Sequence, residues 1–219
     1  MNSKNIRIGL FSLRLFLVFI FLVSLSSCLL PEVFTCNVTI NANGSYSVSL
    51  IGSVVDSDAL EAISVQAFNE NDYKENDIEQ LKLLYGLKEA TYINNGRFNV
   101  VLDAYSDNGD QINIFTLMSL GMNDGSIFVH ITGSGDKSDT LKALGYRIAG
   151  TIRIVSEIPV KDSGGYEVER NGTTNVITVT LKELPKNDIV ILFSDPITQN
   201  FKPSSRKTNN VKVSNDWIE

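Results

Sequence analysis

The sequence predicts an α+β fold: a twisted, mainly antiparallel β-sheet built from hairpins, with two helices packed on one of its faces. Three observations predict it. Apolar and polar residues alternate with a period of two through most of the chain beyond residue 33, turns rich in Asn and Gly separate the alternating runs, and a helical period is confined mainly to Asp58 to Tyr85. At 219 residues, the chain is long enough to bury a core of its own as one domain.

The first thirty residues obey a different rule. Lys4, Arg7 and Arg14 form a positive n-region, Leu15 to Leu25 is an apolar h-region, and small residues follow. Those eleven residues rise only about 16 Å as a helix, well short of a hydrocarbon core of roughly 30 Å. The layout is that of a secretory signal peptide over residues 1–27. The ending Leu25-Ser26-Ser27-Cys28 resembles the lipobox of bacterial lipoproteins. The resemblance implies diacylglyceryl transfer to the Cys28 sulfur, cleavage before Cys28, and acylation of the new amino group with a fatty acid such as palmitate. One acyl chain holds a protein only marginally, whereas two or three, at about 0.8 kcal/mol per buried methylene, anchor it stably. Residue 29 is Leu rather than Asp, which by the enterobacterial pattern points to the outer membrane of a Gram-negative cell. The expected place is therefore a bacterial membrane, lipid-anchored on the extracytoplasmic side. Cleavage removes three cations, so the net charge of −6 becomes −9, with 16 Lys and Arg against 25 Asp and Glu.

Residues 28–32 read as the lipidated terminus and a short linker, residues 33–194 as the folded domain, and residues 195–219 as a polar, flexible tail. Val33 to Ile40 alternates as a strand, Asn41-Ala42-Asn43-Gly44 turns it, and Ser45 to Val55 resumes the alternation. Asp58 with Glu61 resembles a capping box opening a helix to about Asn69. A polar loop to Asp77 then leads to a second apolar stripe through Ile78, Leu81, Leu84 and Tyr85 that Gly86 ends. Asn95-Gly96 between Thr91-Tyr92-Ile93 and Phe98 to Tyr105 is the strongest hairpin signal in the chain. Gln111 to Leu120 and Ser126 to Thr132 read as the next pair of strands, Ser138 to Leu144 as a short helix stopped at Gly145, and the stretches from Arg147 to Phe193 as strands. In the tail, Val211, Val213 and Trp217 are apolar enough to dock one last strand.

Several kinds of chemistry are excluded or left without a signal. An acidic chain does not coat phosphates, so no nucleic acid is expected as a partner. There is no G-x-S-x-G, no phosphate-cradling G-x-x-x-x-G-K-[ST], no H-E-x-x-H and no C-x-x-C. His130, the only histidine, lies in an alternating strand on the side opposite Val129 and Ile131 and reads as a structural or half-exposed residue. The acidic run Glu70, Asp72, Glu75 and Asp77 lacks the spacing of a calcium loop, as does Asp103 to Asp110. Once Cys28 is acylated, Cys36 has no partner left and reads as a small buried hydrophobe. No enzyme activity, no catalytic or metal-binding residue and no cofactor is expected.

The order of elements after the lipidated cysteine, with Ile158-Pro159-Val160, Asn171-Gly172-Thr173, the strand Val176 to Leu181, Leu184-Pro185 and Phe193-Ser194-Asp195-Pro196, resembles the soluble domain of LppM-like bacterial lipoproteins. That family places a Trp in the strand after the Asn-Gly turn, where Ile177 to Thr180 stand in this chain. The resemblance implies an envelope module that binds lipid rather than an enzyme. The expectation is thus a non-catalytic domain attached to the membrane through its N-terminal acyl chains, binding a lipid, glycolipid or other hydrophobic ligand in a crevice beneath the helices. The alternative is a structural or assembly component that meets a protein partner in an envelope complex through exposed sheet edges.

Overall fold

A computed structural model describes residues 29–194 and 212–214. Strand β1 runs from Leu29 to Ile40 and β2 from Tyr46 to Asp56, joined by the expected turn at residues 41–45. Helix α1 (Ser57–Ser64) and helix α2 (Glu70–Lys82) follow, then the hairpin β3 (Leu87–Asn94) and β4 (Arg97–Ser106). Asn95 and Gly96 turn that hairpin with φ of 50° and 69°, the left-handed pair that a two-residue I′ turn requires. Next come β5 (Ile112–Ile114), β6 (Met118–Asn123) and β7 (Ser126–Ile131), a 3₁₀ turn (Gly135–Lys137) and the short helix α3 (Ser138–Ala143). The remaining strands are β8 (Ala149–Ser156), β9 (Val160–Asp162), β10 (Glu169–Asn171), β11 (Thr174–Leu181), β12 (Ile189–Phe193) and β13 (Lys212–Ser214).

The strands form two sheets rather than the one expected. Eight strands are ordered β10-β11-β8-β1-β2-β4-β3-β13, and five are ordered β5-β6-β7-β12-β9. Most pairings are antiparallel, as hairpin succession dictates; β1 with β8 and β13 with β3 are parallel. The period of two explains how the sheets share a core. Cys36, Val38 and Ile40 of β1, Phe98, Val100 and Leu102 of β4, and Ile152 and Ile154 of β8 are buried in the larger sheet. They join Leu120 of β6, Ile127, Val129 and Ile131 of β7, and Ile191 and Phe193 of β12 in one continuous apolar cluster. Residues of the smaller sheet therefore pack against the face expected to be covered by helices. The helices instead lie beside β2 and β3, adding Leu60, Ile78 and Leu81 to the same core.

Four further differences concern single elements. Helix α1 is capped by the buried Asp56, whose carboxylate accepts the Asp58 N–H at 2.8 Å, and it ends at Ser64, short of Asn69. The polar stretch expected as a loop is the first half of α2, where Asn69 Oδ1 accepts the Asn71 N–H; among the described residues of that helix only Ile78 and Leu81 are buried, so it carries almost no apolar stripe to read. Gln111 to Leu120 is not one strand, because the chain reverses between β5 and β6 at Phe115, whose φ is 49°. An aromatic residue in the left-handed region carries no turn signature and is strained. Finally, Leu29 to Glu32 are not linker: they open β1, where a register shift between Pro31 and Phe34 lets Leu29, Leu30 and Pro31 all be buried. Of the tail, Lys212–Ser214 pairs as β13 with β3, and the rest of that expectation lies outside the described residues.

Candidate functional site

The lipidation site Cys28 and the lipobox residues Leu25, Ser26 and Ser27 lie outside the described residues. Their neighbour is well placed. Leu29 pairs with Asp56 across β1 and β2, and its carbonyl accepts the Thr116 hydroxyl at 3.2 Å. Leu29, the residue after the cysteine, is thus already part of strand β1.

At this end of the sheets there is a groove of about 230 Å³. Its buried walls are Leu30 and Pro31 of β1, Leu117 from the β5–β6 turn, and Tyr146. Leu141 of α3 and Leu184 of the β11–β12 loop are half-buried at its rim. Tyr146 donates its hydroxyl hydrogen to the Pro31 carbonyl, and burial, helped by the charge of Glu32, pushes its phenol well above the ordinary range. It therefore stays a neutral donor. Glu32 itself meets Arg97 in a two-pronged pair, Oε2 to Nε at 2.9 Å and Oε1 to Nη2 at 3.1 Å, the geometry that suits guanidinium and carboxylate.

The segment after β7 closes the other side. Gly133 N–H donates to Asp188 Oδ1 at 2.7 Å, His130 Nε2 lies 3.0 Å from Asp188 Oδ2, and Ser134 N–H donates to the Pro185 carbonyl at 2.8 Å. The Gly133 N–H, then the His130 ring, hold the Asp188 carboxyl below its usual value. His130 is therefore part of a clamp between β7 and the loop before β12. Helix α3 has no buried residue and is tied across the rim by the exposed Lys142–Glu183 pair at 3.0 Å.

Chemically, this is a shape-and-contact site. Its walls are mainly apolar, and its hydroxyl groups are largely spent on backbone partners, which suits an apolar chain. The sequence suggests a crevice beneath the helices, whereas this groove lies at the Leu29 end of the sheets. Its walls come from segments near residues 30, 117, 141 and 184, and nothing in the spacing of those apolar residues marks them as neighbours. Cys36 is fully buried in β1, with burial alone pushing its thiol up to about 12. Among the described residues, no three His, Cys, Asp or Glu side chains gather to hold a metal ion, and no helix is long and apolar enough to cross a membrane. Neither a family model nor a curated protein matches the chain.

Proposed function

We propose that the chain is a bacterial lipoprotein, acylated at Cys28, whose single α+β domain works without catalysis in the cell envelope by binding an acyl chain or comparable hydrophobic ligand. The observation that carries this reading is the meeting of two features at one end of the fold. The lipobox cysteine directly precedes Leu29, and the next two residues, Leu30 and Pro31, are walls of the apolar groove. One continuous core supports treating the folded part as a single domain. Leu29 at the position after Cys28 favours the outer membrane where the cell is Gram-negative. The resemblance to LppM-like lipoproteins favours the same class of ligand.

Two measurements test it. Cells fed a clickable palmitate analogue label the wild-type chain and not Cys28→Ser; absence of label, or equal label on both, overturns the anchor. A photoactivatable phospholipid crosslinks to peptides around Leu30, Leu117 and Leu184, and Leu117→Trp, which fills the groove, lowers that yield several-fold. Equal yield in both chains overturns the ligand site.

A second reading, as an assembly component of an envelope complex, is favoured by the outer face of the larger sheet. Val33 and Ile51 are 62% and 63% exposed there, beside a shallow groove lined by Gly52, Thr91 and Val101. The edges of the two sheets offer less, since β10, β5 and β9 are three residues long each, as is the described part of β13, and short edges resist strand addition. A photocrosslinker placed at Ile51 in living cells would capture one protein in constant ratio if this face is an interface.

A further inference from the structure

The junction between anchor and fold fixes more than attachment. Successive Cα atoms are about 3.8 Å apart, so Cys28 stands one peptide from Leu29, which is held on both sides: by β2 through Asp56, and by the β5–β6 turn through Thr116 Oγ1. A flexible tether would reach about 5–6 Å times the square root of its residue count; here no residue is left over to serve as one. The mouth of the groove, the strained turn at Phe115 and α3 lie at this same end, where Tyr146 binds Pro31 and Arg97 binds Glu32.

Charge varies along the chain in the same sense. The stretches 132–147 and 182–188 carry five Lys or Arg (Lys137, Lys142, Arg147, Lys182, Lys186) against four Asp or Glu. The acidic surplus of the mature chain therefore lies outside these two stretches, and Glu32 at this end is paired with Arg97. All five cations are exposed, and cations close to a membrane surface are attracted by anionic headgroups over about a Debye length.

We infer that the anchor end of the domain lies directly on the lipid surface, with Lys137 and Lys186 at headgroup level and the groove between Leu30, Leu141 and Leu184 opening onto the bilayer. This rests on the lipid-anchor reading above. It adds the orientation of the domain and the source of the ligand: an acyl chain of a bilayer phospholipid, which passes into the groove without crossing water.

The test uses the acylated protein, extracted from membranes and returned to vesicles of phosphatidylethanolamine and phosphatidylglycerol. Cys36 is buried, so a cysteine introduced by Lys137→Cys or Lys186→Cys takes up an environment-sensitive nitrobenzoxadiazole probe selectively; Ala42→Cys, in the exposed turn between β1 and β2 at the far end, is the control. All three positions are exposed, which spares the core. With phospholipids bearing a quencher near the headgroup, the probes at 137 and 186 should be quenched at least twofold more than the probe at 42. Equal quenching at all three overturns the orientation. The intact mass of the same samples separates the two levels. A missing acyl mass on Cys28 removes the anchor reading and this inference with it, whereas acylated protein with unquenched probes removes this inference alone.

Discussion

The hydroxyl of Tyr146 donates to the carbonyl of Pro31, across 115 residues of sequence, with both groups buried. This one bond closes the groove wall and ties the segment after α3 to the first residues of the fold. Its loss leaves a buried carbonyl without its partner, and net costs of such losses run to about 1–2 kcal/mol. Tyr146→Phe should lower the urea midpoint accordingly with an unchanged slope, followed by far-ultraviolet circular dichroism. No change in midpoint would mean that water replaces the phenol.

Glu32 and Arg97 should behave as a coupled pair. Their side chains are 12% and 26% exposed, so the two-pronged contact is shielded more than a surface ion pair. Glu32→Gln and Arg97→Met should each destabilise by about 2 kcal/mol. The double variant should cost clearly less than the sum, with a coupling of about 1 kcal/mol or more in a double-mutant cycle. Strict additivity would place the two charges in independent roles.

Acid sensitivity should have a share that belongs to Asp188. Its folded pKa is depressed below the ordinary 3.8 by the Gly133 N–H first and the His130 ring second. A depressed carboxyl contributes stability that is present above the unfolded value and disappears as pH falls through the folded one. Asp188→Asn should therefore flatten the stability profile below about pH 4. An identical acid limb in both chains would assign the effect elsewhere.

Thiol chemistry should report burial and anchoring together. Cys36 is fully buried with its thiol pushed up to about 12, so the native acylated protein should show no titratable thiol and the denatured protein one. Two thiols on unfolding would mean that Cys28 carries no lipid. Cys36→Ser should cost about 1–3 kcal/mol by burying a hydroxyl among apolar neighbours.

The Asn95-Gly96 turn should tolerate no side chain at its second position. A Cβ on Gly96 would stand 2.3 Å from the Cβ of Ala59, at a φ of 69°. Gly96→Ala should therefore destabilise by about 1–3 kcal/mol. Ala59→Gly in the same chain should recover part of that loss, measured by thermal unfolding; no recovery would make backbone strain the whole cost.

Local rules set much of this molecule in the sequence itself. Alternation in Val33 to Ile40, the Asn41 to Gly44 and Asn95-Gly96 turns, the burial of Cys36 and the placing of His130 with its ring turned from the core all follow from a period of two and from residues that accept a left-handed backbone. Those are properties of a few adjacent residues, and so they are legible there. The turn at Phe115 and the first half of α2 are not, because each is held by contacts distant in sequence and offers no turn signature or apolar stripe of its own. The division into two sheets, the parallel pairing of β1 with β8, and the groove joining Leu30, Leu117, Leu141 and Leu184 were decided only in the tertiary structure. A shared core selects among many pairings of similar strands by which faces can be buried together, and that selection is a property of the whole chain.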